Sequence, residues 1–113
     1  MIEAYSFGRI IVNGVRYTRD IKIIRDSVIP EWWRINGHRV EACDIFDILN
    51  AKTGIIILGT GNPGLMRATE ELKALLQTKK IVLVEVPTLE AVDLYNQMIN
   101  EKKNVAAGFH LTC

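Results

Sequence analysis

The hydrophobic period changes once along this chain, near Val40, and that change limits the folds open to it. From Val15 to Ile23 the residues Val15, Tyr17, Ile21 and Ile23 alternate with Arg16, Thr18, Asp20 and Lys22. A period of two is that of a strand with one covered face. Arg19 is the one misfit on the apolar side, and Arg16, Lys22 and Arg25 read as a solvated strand face. Beyond Val40 the pattern is different. Ile55 to Leu58 is an unbroken apolar run and Ile81 to Val86 is apolar apart from Glu85, as in strands covered on both faces. Leu65, Ala68, Leu72, Leu75 and Leu76 recur at helical spacing between them, with Lys79 and Lys80 at the C-terminal end of that helix. Ala91, Val92, Leu94, Tyr95, Met98 and Ile99 do the same in a helix capped by Thr88, and a last strand runs from about Val105 to Leu111.

Turn signals divide the first half. Asn13-Gly14 joins the run Phe7 to Val12 to the strand beginning at Val15, with the dipeptide best suited to a type I′ hairpin. Asn36-Gly37 suggests a second, shorter hairpin between Trp32 to Ile35 and His38 to Val40, and Pro30 makes Val28 to Glu31 a bend. Asp44 is the expected N-cap of a short helix reaching Lys52, with Asp47 in its first turn. An antiparallel front half followed by alternating strand and helix predicts one α/β domain with a mixed sheet. With 113 residues, the chain has room for a single domain, residues 1–113.

Charge and composition exclude several classes of partner. Fourteen basic and thirteen acidic residues give a net charge of +1, which supplies no field for a polyanion, so nucleic acid is not an expected partner. No apolar run approaches the roughly 18 residues of a membrane span. The N-terminal residues MIEAYSFGRI carry no secretory pattern, so a cytoplasmic location is expected. Cys43 and Cys113 are too few for a disulfide framework and read as free thiols.

Two segments stand out chemically. Gly59-Thr60-Gly61-Asn62-Pro63-Gly64 matches G-x-G-x-x-G after a strand, and Glu85 ends the next strand as a ribose-binding acid would. Three readings are open: a dinucleotide fingerprint, a cradle for a smaller anion made by Gly59, Thr60, Gly61, Asn62 and Gly64, or a structural tight turn. Against the first, Asn62-Pro63 reads as an N-cap followed by proline at the first helical position, and residues 55 to 113 hold too few βα units for a complete dinucleotide fold. No cofactor is expected. The second segment is Trp32, Trp33, Arg34, His38 and Arg39. Adjacent tryptophans on an extended segment face opposite sides, so one of them lies away from the core and could form, with the two arginines, a contact patch for a protein partner or a flat anionic ligand.

Catalytic and metal constellations are not evident. His38, Cys43, His110 and Cys113 lack zinc-finger spacing, and on a continuous last strand His110 and Cys113 face opposite sides, which argues against metal binding and against a Cys-His pair. No serine lies in a nucleophile elbow, and Asp44 and Asp47 are explained by capping.

Tyr5-Ser6-Phe7-Gly8, Trp32-Trp33-Arg34, Gly37-His38, Gly59-Thr60-Gly61, Thr88-Leu89-Glu90-Ala91, Tyr95-Asn96 and His110-Leu111-Thr112-Cys113 follow one another in this chain. In that order they resemble the small conserved domain shared by the mitochondrial respiratory complex I assembly factor 3 and the adipogenesis-associated domain protein. The resemblance covers residue 2 to the last residue. It implies a three-layer fold with a central mixed, mostly parallel sheet flanked by helices and an extra N-terminal β-hairpin layer. It supplies no reaction and no catalytic residues; the family's glycine loop falls on Gly59 and Gly61, and its histidine after the arginine-bearing strand on His38. The expectation is a conserved domain of unknown function that acts as a non-enzymatic binding or assembly module. The alternative is a protein or enzyme that binds a phosphate or nucleotide metabolite at the Gly59–Gly64 loop.

Overall fold

The computed structural model describes all residues from Met1 to Cys113. Its centre is a five-stranded mixed sheet in the order β5-β4-β10-β7-β9, comprising β4 (Ile21–Ile24), β5 (Ser27–Ile29), β7 (Ile55–Gly59), β9 (Val82–Val86) and β10 (Val105–Phe109). The last three are parallel to one another, β4 pairs antiparallel with β10, and β5 pairs antiparallel with β4. A separate antiparallel sheet holds β1 (Ile2–Ser6), β2 (Arg9–Val12) and β3 (Val15–Tyr17), and β6 (Arg39–Val40) pairs in parallel with β8 (Arg67–Ala68). Three helices, α1 (Phe46–Asn50), α2 (Glu70–Thr78) and α3 (Thr88–Asn100), complete the α/β domain. None is long and apolar enough to cross a membrane.

The pleat of the central sheet sorts side chains into two cores. Ile21, Ile23, Ile57, Val105, Ala107 and Phe109 point one way and pack with Ala91, Val92 and Tyr95 of α3 and with Ile2, Ile10 and Val12 of the N-terminal sheet. Ile56, Leu58 and Ala106 point the other way, onto Leu72 and Leu76 of α2, Ile45, Ile48, Met66 and Trp32. The apolar runs of β7 and β10 thus have the double cover that their composition requires.

The Asn13-Gly14 hairpin forms as expected, with Val12 opposite Val15 and both turn residues at positive φ. Other expectations need correction. The alternating stretch from Val15 to Ile23 is two strands in different sheets, broken at Thr18–Asp20. Lys22 is not solvated: the face opposite Ile21 and Ile23 is covered, so Lys22 is buried and its ammonium bonds the Asp47 carboxylate at 2.8 Å. Arg25 is exposed, as expected of a solvated face, and donates to the Ala51 carbonyl. The second hairpin shrinks to one bridge, Asn36 to Arg39, because Val40 continues instead alongside Ala68. Asp44 is not an N-cap; a 3-10 turn over Ala42–Ile45 precedes α1, and Asp44 reaches back to accept from the Glu41 N–H at 2.8 Å. Thr88 is the first residue of α3, and its hydroxyl bonds other segments rather than capping the helix. The final strand ends at Phe109.

The correction with most bearing on function concerns α2. It starts at Glu70, not at Pro63, and its cap is Thr69, whose hydroxyl accepts from the Leu72 N–H at 3.1 Å. Leu65, part of the expected helical stripe, is exposed, and Ala68 lies in β8. Thr69→Ala is therefore expected to cost about 1 kcal/mol in urea unfolding, the ordinary value of a lost cap, while Asn62→Ala leaves helix stability unchanged.

Candidate functional site

Asp20 sits where the expected strand breaks, between β3 and β4, with its side chain turned into the protein. Its Oδ2 accepts from Arg34 Nη2 and from His110 Nδ1, both at 2.7 Å, and its Oδ1 accepts from the Leu111 N–H at 2.8 Å. Its backbone carbonyl takes the Trp32 N–H at 2.8 Å. Burial alone would raise the Asp20 carboxyl. The hydrogen bonds from His110, Leu111 and Arg34 outweigh it and hold the group below its ordinary value of 3.8. An ionised carboxylate only accepts, so the hydrogen of His110 lies on Nδ1. The 3.3 Å approach of Arg34 Nη2 to that nitrogen is then two donors converging on one oxygen.

Arg34 is held by more than Asp20. Its guanidinium lies 4.4 Å above the Trp32 ring, and its Nε and Nη2 donate to the Gly37 carbonyl at 3.1 and 2.9 Å. Its side chain is only 4% exposed. Trp32 is buried in turn: its Nε1 donates to the Asp44 carbonyl at 2.9 Å, and a Cβ at Gly108 would come within 2.6 Å of its ring. The glycine in β10 is what gives the indole its place. His38, exposed, meets His110 edge to face with ring centroids 5.6 Å apart. One nitrogen of each buried partner has nothing to bond: Arg34 Nη1 and His110 Nε2.

These side chains floor a groove of about 460 Å³ whose walls include Thr18, Arg19, Glu31 and Thr112. Trp33 and Ile35, also in its lining, are 75% and 81% exposed. A shallower hollow of about 300 Å³, bounded by Arg16, Tyr17 and Pro30, adjoins it and shares Thr18, Arg19 and Glu31.

Of the residues singled out in the sequence, Trp32, Trp33 and Arg34 meet in this groove, with His38 at the back of His110. Arg39 lies in β6, outside the lining. Cys43 and Cys113 are exposed, and no group of three or more metal-binding side chains forms. Asp20 is the residue that sequence reasoning missed; on an uninterrupted strand it belongs to the polar face. The only signal was its neighbour Arg19, which breaks the alternation at the place where the chain changes sheets.

The Gly59–Gly64 loop has a different character. The N–H groups of Thr60, Gly61, Asn62 and Leu65 bond the Val86 carbonyl, the Thr88 hydroxyl, the Thr112 carbonyl and the Cys113 carbonyl, at 2.8 to 3.1 Å. Of the expected anion cradle, the Thr60, Gly61 and Asn62 N–H groups are thus engaged within the chain. Glu85, which would meet a ribose, accepts instead from the Ala68 N–H at 2.7 Å. Gly61, at φ +108°, has the Thr112 carbonyl 2.3 Å and His110 Cδ2 2.9 Å from where a Cβ would lie. The loop is a bed for the last residues of the chain.

Two predictions follow from this geometry. Gly61→Ala is expected to lose about 2 to 3 kcal/mol in urea unfolding and to shift the His110 ring signals. Gly14→Ala, at similar positive φ in open space, is expected to lose about 1 kcal/mol from left-handed strain alone. Because the Asp20 carboxyl is depressed on folding, its contribution is complete above the ordinary carboxylate range and disappears as pH falls through the lower folded value. Urea midpoints of the native protein are therefore expected to fall steeply below about pH 4, and Asp20→Asn, less stable at neutral pH, to lose much of that acid limb.

Comparison with known proteins agrees with the fold and leaves the chemistry open. No curated protein matches the chain. A conserved hypothetical protein from Pyrococcus horikoshii is 24% identical, with a TM-score of 0.88 over 100% of this chain and 99% of its own. An outer membrane protein from Bartonella henselae is 26% identical, with a TM-score of 0.84 over 99% of this chain and 94% of that one. A Mth938-like domain from Bordetella pertussis, 18% identical, superposes with a TM-score of 0.69 over 98% and 85%. Residues 2–110 match the family described as protein of unknown function (DUF498/DUF598), in keeping with the resemblance to a small conserved domain, and the chain belongs to that family.

Proposed function

We propose that this domain is a non-catalytic binding or assembly module that engages a protein partner through Trp33 and Ile35. The observation that carries the reading is the exposure of these two large apolar side chains, two residues apart, on a groove whose floor is polar and buried. An isolated exposed apolar residue needs no explanation, but an aromatic beside an aliphatic, over a buried arginine, is the composition of an interface anchor. Trp32 and Arg34 fix the segment from below, so the patch is preorganised and a partner has less ordering to offset. The His110 ring has Asp20 as its hydrogen-bond partner, not a hydroxyl or thiol that it could activate, which favours binding over nucleophilic catalysis. The Gly59–Gly64 loop drops out of the contact surface, since its amides serve the fold. The reading includes a cytoplasmic location, where the exposed thiols of Cys43 and Cys113 remain reduced.

The test is affinity capture from a lysate of the source organism, comparing the native protein with Trp33→Ala, Ile35→Ala and, as an exposed apolar control outside the groove, Leu89→Ala. Loss of an anchor costs about 2 kcal/mol or more, so partners should fall roughly 30-fold with either groove variant and persist with Leu89→Ala. A partner set unchanged by Trp33→Ala and Ile35→Ala overturns the assignment.

A further inference from the structure

We propose that the floor of this groove is a binding site for a small oxyanion carried on an apolar body, held by Arg34 Nη1 and His110 Nε2. The starting point is the pair of buried nitrogens without partners. Leaving such a group unsatisfied costs about 1–3 kcal/mol, and native proteins keep few of them, so two in one cluster require a reason. Both belong to side chains that line the same groove, and both are at least nine-tenths buried, at 4% and 9% exposure.

Their shared anchor determines which ligand chemistry fits. Asp20 takes Arg34 Nη2 and His110 Nδ1 on one oxygen, so each residue has one end committed and one end unclaimed. Arg34 is always a donor, and His110, with Asp20 bonded to Nδ1–H, donates from Nε2 when protonated. A carboxylate or a phosphate monoester accepts from both. Its charge stands against the Arg34 guanidinium, on the side of that group away from Asp20. Water is excluded from both nitrogens, so the attraction is less screened than at a surface. Trp33 and Ile35 at the rim offer apolar surface to the rest of the ligand, and 460 Å³ lies within the usual size of a small-molecule site. Entry requires the rim to give way. Ile35 is tied there by a 3.3 Å bond from its N–H to Asp44 Oδ1.

The site shares Trp33 and Ile35 with the partner surface but depends on Arg34 and His110 beneath them, and its test uses purified protein alone. The full chain, labelled with ¹⁵N, is titrated with benzoate, phenyl phosphate, inorganic phosphate and neutral benzyl alcohol. The expected result is saturable shifts of the Arg34 and His110 side-chain signals and the Trp33 indole with benzoate or phenyl phosphate. The stronger of the two identifies the oxyanion, and benzyl alcohol leaves the Arg34 and His110 signals unmoved. Trp33→Ala, at an exposed position, should weaken binding of the aromatic anions several-fold without weakening that of inorganic phosphate, and Arg34→Gln should abolish binding of all three. Should Arg34→Gln not fold, the shift map of the native protein and the Trp33→Ala comparison decide. Absence of saturable shifts with every anion, shifts mapping to the Gly59–Gly64 loop instead, or an equal response to benzyl alcohol overturns the proposal. None of these outcomes touches partner capture by Trp33 and Ile35.

Discussion

One half-buried carboxylate holds three separate stretches of this chain together. Asp20 receives donors from Arg34, from the His110 ring and from the Leu111 backbone, while its own carbonyl receives Trp32. A charge taken out of water is tolerated only when it is fully paired and hydrogen-bonded, so the position of each donor is set by the others. The break between β3 and β4, the loop after Trp32 and the segment after β10 are fixed relative to one another by that requirement. The groove is the hollow left between them.

Packing beneath the carboxylate is as demanding as the hydrogen bonding above it. Trp32 lies close enough to β10 that only glycine fits at position 108, and the Arg34 guanidinium stacks over the indole, 4.4 Å from the ring centroid. The chain after Phe109 is confined in the same way. Leu111 accepts from the Gly8 N–H and the Tyr5 hydroxyl of the N-terminal sheet, and Thr112 and Cys113 accept from the glycine loop. His110 is therefore positioned from both sides, by Asp20 through its ring and by Gly59 and Thr88 through its backbone. The floor of the groove is fixed from both sides, which is why its two unpaired nitrogens are informative.

Elements with a strong local pattern were legible in the sequence. The β7 and β10 strands, α3 and the Asn13-Gly14 hairpin each follow from a period or a dipeptide that has one good solution. Failures cluster where a distant segment overrides the local preference. Val15 to Ile23 alternates well enough for one strand, but the N-terminal sheet claims Val15–Tyr17 and the central sheet claims Ile21–Ile24, and nothing local announces the exchange beyond Arg19. Lys22 is on the polar face of that pattern and is buried all the same, because Asp47 arrives from α1 to pair with it. Trp33, Arg34 and His38 were visible as an unusual cluster, whereas Asp20, which organises their neighbourhood, looked like an ordinary strand aspartate. Its role depends on His110, ninety residues away in sequence.

The glycine motif illustrates how a correct local match leads to a different function. In open α/β sheets, ligands lodge at the carboxyl ends of parallel strands, where successive connections leave toward opposite faces. Here β7 continues to α2 on one face and β9 to α3 on the other, so the crevice between the ends of β7 and β9 is the expected place, and the glycines lie in it. The chain fills that crevice itself. Thr60 bonds Val86, Gly61 bonds Thr88, and Thr88 bonds the carbonyl of His110. Glycine is needed there for close approach of the chain's own backbone, the same property that elsewhere admits a pyrophosphate. What remains open is the other flank of β10, toward the antiparallel β4, where Asp20 precedes β4 and His110 follows β10. The usual crevice is closed by hydrogen bonds, whereas the adjacent hollow is lined by side chains with unpaired buried nitrogens, one strand away from the glycine loop.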